Sequence, residues 1–523
     1  MTFPDNRTVF PGNEPTHGRK ERGMRLFTIG DSISQGYMSA AAARTDLCYS
    51  TLLAKAMGMT VGHDPSAEYV IPEWPHGGLM YNLEKIMRFL YRDFGPDVRG
   101  IEWLRALSTI NRVVDASEDY YERDGGAFKK PVPHGVEHFH NIASFGMNVG
   151  DAWMLSRRDC HTMVYNKGDI NKKALFDDQF LSGADNPFHR SAARVLNPSC
   201  KGNFDSYTAL DWLRHHASGE GVDNLLLWLG ANNILGTVLH LVPRETRQVG
   251  DRLPHQLSHL ERWKYDWNFW RPDHFLAEYE ELIQRVIAAM ADNREKEWHV
   301  FVGTVPHVTI APIIKGIGRE YTDNPRGVYF ENYTYFPFSE EAGKASGKIL
   351  TRGWAIAIDS TIDAYNENIK IVAGKANDQC KKHHGRTGDC FHVVDTCRML
   401  SDIAWKRNQG APKYKYPEAF DRLPHFPDTR YYDVNRTGTL LEGGLFSLDG
   451  VHPTALGQGL IAWEFLKKMR EVGVVAEQTS LDWEDIIEED MLYTKPIPVI
   501  RELEENGDLA ARVMQFIEWI SGD

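Results

Sequence analysis

The sequence predicts an α/β fold with a mainly parallel sheet, and three observations predict it. Short, continuous apolar runs recur along the chain, the pattern of strands covered on both faces rather than one. Each run ends in a Gly, a Pro or a polar turn. Segments with apolar residues three and four apart lie between the runs, so strands and helices alternate, as in units joined by right-handed crossovers.

The elements follow in order. Met24 to Ile29 is the first run and leads into Gly30, Asp31 and Ser32. Tyr49 to Met57 reads as a short helix stopped by Gly58. Phe139 to Ser144 leads into Gly146, and Asn224 to Leu229 leads into Gly230, Ala231 and Asn232. A helix with Asp273 as N-cap carries Phe275, Leu276, Tyr279, Leu282, Ile283, Val286, Ile287 and Met290 on one side. His299 to Val305 stops at Pro306, and Phe391 to Asp395 is the last clear strand. A final core helix starts at Pro453 and Thr454 and runs through Leu460, Ile461, Phe465, Leu466 and Met469. Beyond it an acidic stretch leads to an amphipathic segment from Val499 to Ile520, expected to pack back on the domain as a helix. The whole chain, 1–523, reads as one domain.

Bulk properties narrow the function classes. The 523 residues are 42% hydrophobic and 25% charged, ordinary values for a soluble globular protein. A formal charge of −13 argues against general binding to nucleic acid or to an anionic membrane. Residues 1–23 lack the apolar centre of a signal peptide, and nothing approaches the ~18 apolar residues that span a bilayer. The six Cys are scattered, as free thiols in a reducing compartment are, so the expected location is cytoplasmic.

Four places at strand exits or near the chain's end carry candidate chemistry: Ser32, Gly146, Asn232 and the pair Asp449/His452. Ligands of open α/β sheets bind beyond the carboxyl ends of the strands. A serine hydroxyl there needs a base; His452 is placed to take its proton and Asp449 to hold the imidazole tautomer. The N–H groups of Ser32 and Gly146 and the Asn232 amide would donate to a developing oxyanion, each worth roughly 3 kcal/mol. Alone, Gly-Asp-Ser is a common turn, Gly146 a backbone bend and Gly-Ala-Asn-Asn a strand exit. Their joint occurrence in this order is what points to acyl transfer.

That joint pattern resembles the SGNH/GDSL hydrolase superfamily. Phe27 to Gly36 looks like its first block, with Ser32 as nucleophile, and Asn141 to Asn148 like its second, with Gly146 in the oxyanion hole. Leu229 to Asn233 resembles the third, with Asn232 as oxyanion donor, and Leu448 to Gly457 the last, with Asp449 and His452. Members usually have Asp after the oxyanion Asn, where this chain has Asn233. The resemblance implies a flavodoxin-like three-layer α/β/α sandwich, enlarged by insertions near residues 62–138, 155–220, 236–272 and 308–350. Its core segments would be about 24–61, 139–154, 221–235, 273–307, 351–400 and 440–475. Insertions beside a site tend to build its walls and lids.

The expected activity is therefore two-step hydrolysis of a carboxylic ester through an acyl-Ser32 intermediate. The ester would be a small molecule, a lipid or a carbohydrate, and no cofactor or metal is needed. Activity should rise with pH through a histidine ionisation, near 6.5 for an unperturbed imidazole. Transfer of the acyl group to an alcohol or sugar would use the same residues, and a binding protein that has lost catalysis is the alternative of a different class. Trp263, Trp267 and Trp270, with Tyr265, lie at helical spacing and read as a buried stripe. Two histidine groups, His134/His138/His140 and His383/His384/His392, loosely approach the spacing of metal ligands without matching a strong zinc pattern.

Overall fold

All five residues of Leu26–Gly30 are buried, as a strand with helices on both faces requires; this is β1. Asn141–Ala143 (β2), Asn224–Trp228 (β3), His299–Gly303 (β4) and Phe391–Val394 (β5) join it in one sheet. The spatial order is β5-β4-β3-β1-β2 and every pairing is parallel. Read from the other edge this is 2-1-3-4-5, the flavodoxin-like order. The computed structural model describes residues 24–96, 102–123, 125–165 and 186–498. The segment from Val499 to Ile520 lies outside them. No helix among the described residues is long and apolar enough to cross a membrane.

The helices that position the site are Ser32–Gln35 (α1), Tyr49–Ala56 (α2), Ala209–Ser218 (α3), His259–Arg262 (α4), Pro272–Met290 (α5), Arg352–His384 (α6) and Ala455–Glu471 (α7). α3, α5 and α6 pack side by side as one layer, while α2 and α7 pack together as another. α5 buries Phe275, Tyr279, Leu282, Ile283, Val286, Ile287 and Met290, each worth roughly 1.5–3 kcal/mol. Its start differs from the sequence expectation. Arg271 is the N-cap and Pro272 the first helical residue, leaving Asp273 in the first turn beside the helix's positive end. α7 starts where expected, with the Thr454 hydroxyl accepting from Gly457 N–H.

The insertions have secondary structure of their own, as two of them illustrate. Ile314–Asn324 and Gly327–Tyr335 form an antiparallel hairpin. It is fastened to α6 by Asp359, which accepts from the Tyr329 hydroxyl at 2.6 Å and from the fully buried Arg407 guanidinium at 2.8 Å. The Trp-bearing segment is not a helical stripe. Trp263–Tyr265 is one short 3₁₀ turn, Trp263 is exposed, Trp267 stacks on Tyr265, and only Trp270 is buried.

At the N-terminal edge of the sheet, away from Ser32, a histidine cluster closes the core. His140 precedes β2, and His216 in α3 packs on Phe27. Their rings, with that of His138, surround Glu220. Ligand atoms of His140, His216 and Glu220 lie within 4.8 Å of one another. The hydrogen bonding is nevertheless that of a carboxylate between two imidazole N–H groups. Val70 N–H donates to His140 Nδ1 at 2.9 Å, so the His140 proton sits on Nε2, facing Glu220 at 3.5 Å. A ring with both nitrogens so engaged offers a metal no lone pair. His134 takes no part in this grouping. Of the other histidine set, His392 is paired with His299 at 2.9 Å, and the His383 and His384 side chains lie outside the described residues.

Burial pushes His138 down to about 3 and His216 down to about 4, the first helped by its histidine neighbours and the second opposed by Glu220. The unfolded chain takes up protons near 6.5 that the folded one refuses, so stability falls as pH drops from about 6.5 towards 4. Each such histidine contributes at most about 1.4 kcal/mol per pH unit in that window. Urea unfolding of wild type and His216→Phe between pH 7 and 4.5 checks this. The variant should show the shallower pH slope, and parallel slopes would refute the assignment.

Candidate functional site

Ser32 stands where β1 ends and α1 begins, at the carboxyl edge of the sheet. Asp31 caps the helix, its carboxylate accepting from Ile33 N–H at 3.1 Å. Ser32 is therefore the first helical residue, whose N–H has no partner within the helix. Its side chain is nearly covered. Burial lifts the Asp31 carboxyl to about 7, against the Ile33 hydrogen bond and the nearby His452 charge, which lower it. Neighbouring strands β1 and β3 are where the strand order reverses, and Ser32 and Asn232 follow their carboxyl ends.

His452 and Asp449 form a pair, with Nδ1 to Oδ2 at 3.0 Å. The carboxylate is saturated: Oδ1 also accepts from the N–H groups of Val451 and His452, both at 2.8 Å, and Oδ2 from Ala40 N–H at 2.9 Å. Burial alone would raise the Asp449 carboxyl; the His452 charge and these hydrogen bonds reverse that and hold it below its ordinary value. Gly450 makes the tight loop feasible. It sits at φ +67°, and a Cβ there would come within 2.7 Å of Ile313 N. Nothing among the described residues hydrogen-bonds to His452 Nε2, which is left open to act.

The loop bearing this pair is laced onto the segment that follows Ser32. Ser39 N–H donates to the Ser447 hydroxyl at 2.8 Å, Ala40 N–H reaches Asp449, and the Gln458 amide donates to Ile33 carbonyl at 3.0 Å. Tyr37 lies against the imidazole, ring centroids 4.7 Å apart. Ser39 and Ala40 adopt φ of 50° and 60° to make these contacts, a left-handed backbone that disfavours residues other than Gly. The direct Ser32 Oγ to His452 Nε2 hydrogen bond is not formed in this arrangement; such contacts commonly tighten only around substrate.

The oxyanion candidates come from the next two strand exits. Gly146 has φ +84°, and a Cβ there would meet the Phe188 ring at 2.9 Å. The loop around it is held by side chains: Gln35 accepts from Phe145 N–H at 2.8 Å and also donates to Ser191. Asn232 donates one amide hydrogen to Met147 carbonyl at 2.9 Å, which leaves its second hydrogen uncommitted among the described residues. Asn233 has a different task. Fully buried, it accepts from Val149 N–H at 3.1 Å and donates to Glu278 at 3.1 Å. The missing acid after Asn232 is thus explained: an Asp at 233 would confront the Glu278 carboxylate. Sequence reasoning missed Gln35, Ser39, Ala40, Ser447 and Glu278, whose roles lie in contacts across the fold.

A second Ser–His–Asp chain tests which imidazole is suited to act as a base. His307 follows β4, with Nδ1 2.9 Å from the Ser401 hydroxyl and Nε2 2.9 Å from Asp363. Burial would lower its pKa, but the Asp359 charge and the Asp363 hydrogen bond overcome that and push it up to about 10. Such a ring keeps its proton at neutral pH and has no free lone pair. Two cavities lie elsewhere. One of about 1000 Å³ is lined by Leu423, Trp483 and Tyr493, and one of about 420 Å³ by Phe128, Arg157 and His161.

The chain matches no model of a known protein family, no curated protein and no solved structure.

Asn233→Asp should destabilise the fold by roughly 1–3 kcal/mol at neutral pH, because Glu278 loses its donor and gains a like charge. Urea unfolding at pH 7 measures it, and a variant as stable as wild type would contradict the proposed role of Asn233.

Proposed function

We propose that this chain is a serine-dependent carboxylic ester hydrolase of the SGNH/GDSL type. One observation carries the reading: an imidazole oriented by a saturated carboxylate, with its other nitrogen open, is fastened by Ala40 and Ser447 to the segment that follows Ser32.

In the first step Ser32 Oγ attacks the ester carbonyl carbon while its proton passes to His452 Nε2. Asp449 accepts from Nδ1–H throughout, which fixes the tautomer and stabilises the imidazolium. The carbonyl oxygen gains charge, and the donors aimed at it are Ser32 N–H, Gly146 N–H and the second amide hydrogen of Asn232. The carbon–oxygen bond to the alcohol then breaks, and the alkoxide leaves with the proton from Nε2. In the second step His452 takes a proton from water, hydroxide adds to the acyl carbon, and Ser32 departs with that proton.

Labelling with a fluorophosphonate probe, followed by peptide mapping, tests the reading directly. Wild type should be labelled on Ser32; Ser32→Ala should lose the label and His452→Ala nearly all of it. On any ester that is turned over, Asn232→Ala should lower kcat by roughly 10²–10³. A folded wild type that stays unlabelled would sink the hydrolase reading and favour a binding protein on this fold.

A further inference from the structure

The insertion at 236–272 reaches the site through two buried side chains. Its short helix α4 puts His259 and Arg262 three positions apart, and both side chains are buried. His259 Nδ1 lies 2.7 Å from Asp151 Oδ1. Asp151 closes the loop that contains Gly146, its other oxygen accepting from Asn148 N–H at 3.0 Å. Arg262 pairs with Glu278 on α5 and also donates to Pro254 carbonyl at 2.8 Å. Glu278 in turn accepts from Asn233, next to the oxyanion candidate Asn232. The ion pair also lies directly on the Gly146 loop: a Cβ on Gly150 would come within 2.3 Å of both Arg262 and Glu278.

Four ionisable side chains, each under 10% exposed, therefore converge on two short loops. Burying such pairs adds little net stability, since desolvation offsets the attraction. What they supply is position, because each charge tolerates few arrangements other than the one that pairs it. Helix α4 is itself fixed by a capping box, with Ser258 N–H donating to Glu261 at 2.8 Å.

We propose that α4 is a buttress of the oxyanion hole: His259 holds the Gly146 loop through Asp151, and Arg262 holds the Asn232 turn through Glu278 and Asn233. The proposal rests on the hydrolase reading and gives the insertion a role in transition-state binding. His259, Arg262, Asp151 and Glu278 are positioning residues, since none of them touches the reacting atoms.

The test compares wild type, Arg262→Met, Arg262→Lys and the double variant Arg262→Met/Glu278→Gln with p-nitrophenyl acetate as substrate. Arg262→Met should lower kcat at least tenfold with KM within twofold. Inhibition by phenylboronic acid, which forms a tetrahedral adduct on an active serine, should weaken in parallel. Arg262→Lys, which keeps a cation in reach of Glu278, should recover most of the loss. The double variant leaves no unpaired buried charge, so it should unfold close to wild type and still keep the kcat deficit. A folded double variant with kcat and boronate affinity within twofold of wild type would overturn the buttress. Fluorophosphonate labelling of wild type separates the two ideas. If Ser32 labels and the double variant hydrolyses normally, only the buttress falls; if Ser32 does not label, the hydrolase reading and the buttress fall together.

Discussion

The carboxylate of Asp449 is the point on which the site depends. It accepts four hydrogen bonds, three from backbone N–H groups and one from an imidazole. Two of the backbone donors are in its own turn, and the third, Ala40, is 409 positions away. One buried charge thus does two jobs. It orients His452, and it joins the chain's last block to the segment that follows its first. Desolvating a carboxylate costs several kcal/mol unless its oxygens are occupied. The donors therefore have to be where they are, and the left-handed backbone at Ser39 and Ala40 follows from that demand.

The same logic organises the opposite wall. Backbone N–H groups of the Gly146 loop are taken up by Gln35, Asn233 and Asp151. These come from the first helix, the β3 exit and the loop itself, so no single strand fixes the loop. For the proposed oxyanion hole this matters, because reorganising donors during the reaction would cost what they are meant to supply. On this view the 236–272 insertion acts through the buried side chains it sets against those loops.

Much of the architecture was legible in the sequence because burial on both faces leaves a mark in one dimension. The run from Asn224 to Leu229 is apolar almost throughout since β3 is the sheet's central strand, and all five of its residues are buried. The strand exit at Ser32 and the tight loop that pairs Asp449 with His452 were legible because they are local features. Asn233 was not: its identity depends on Glu278, 45 positions away, and on the insertion that supplies Arg262. The Trp263 to Trp270 segment misled for the opposite reason. Helical spacing is only an opportunity, and here a short 3₁₀ turn ends at Asp266 in a left-handed conformation, which breaks the stripe. The start of α5 was displaced because Pro272 takes the first helical position and so fixes the cap one residue before itself.

A carboxylate beside an imidazole is a weak signal by itself, and this molecule shows why. His216 has Nδ1 on Glu220 and Nε2 buried without a partner, so its environment refuses a proton. His307 has both nitrogens engaged and holds its proton far above neutrality. His259 spans Asp151 and His189, with Nε2 3.0 Å from the second ring. Each of these is locked into one protonation state or one set of partners by its surroundings. His452 alone among these four combines a carboxylate on Nδ1 with an uncommitted Nε2 at the carboxyl edge of the sheet. A general base has to exchange a proton with something that is not part of the fold, so the feature that distinguishes it is the hydrogen bond the protein leaves unmade.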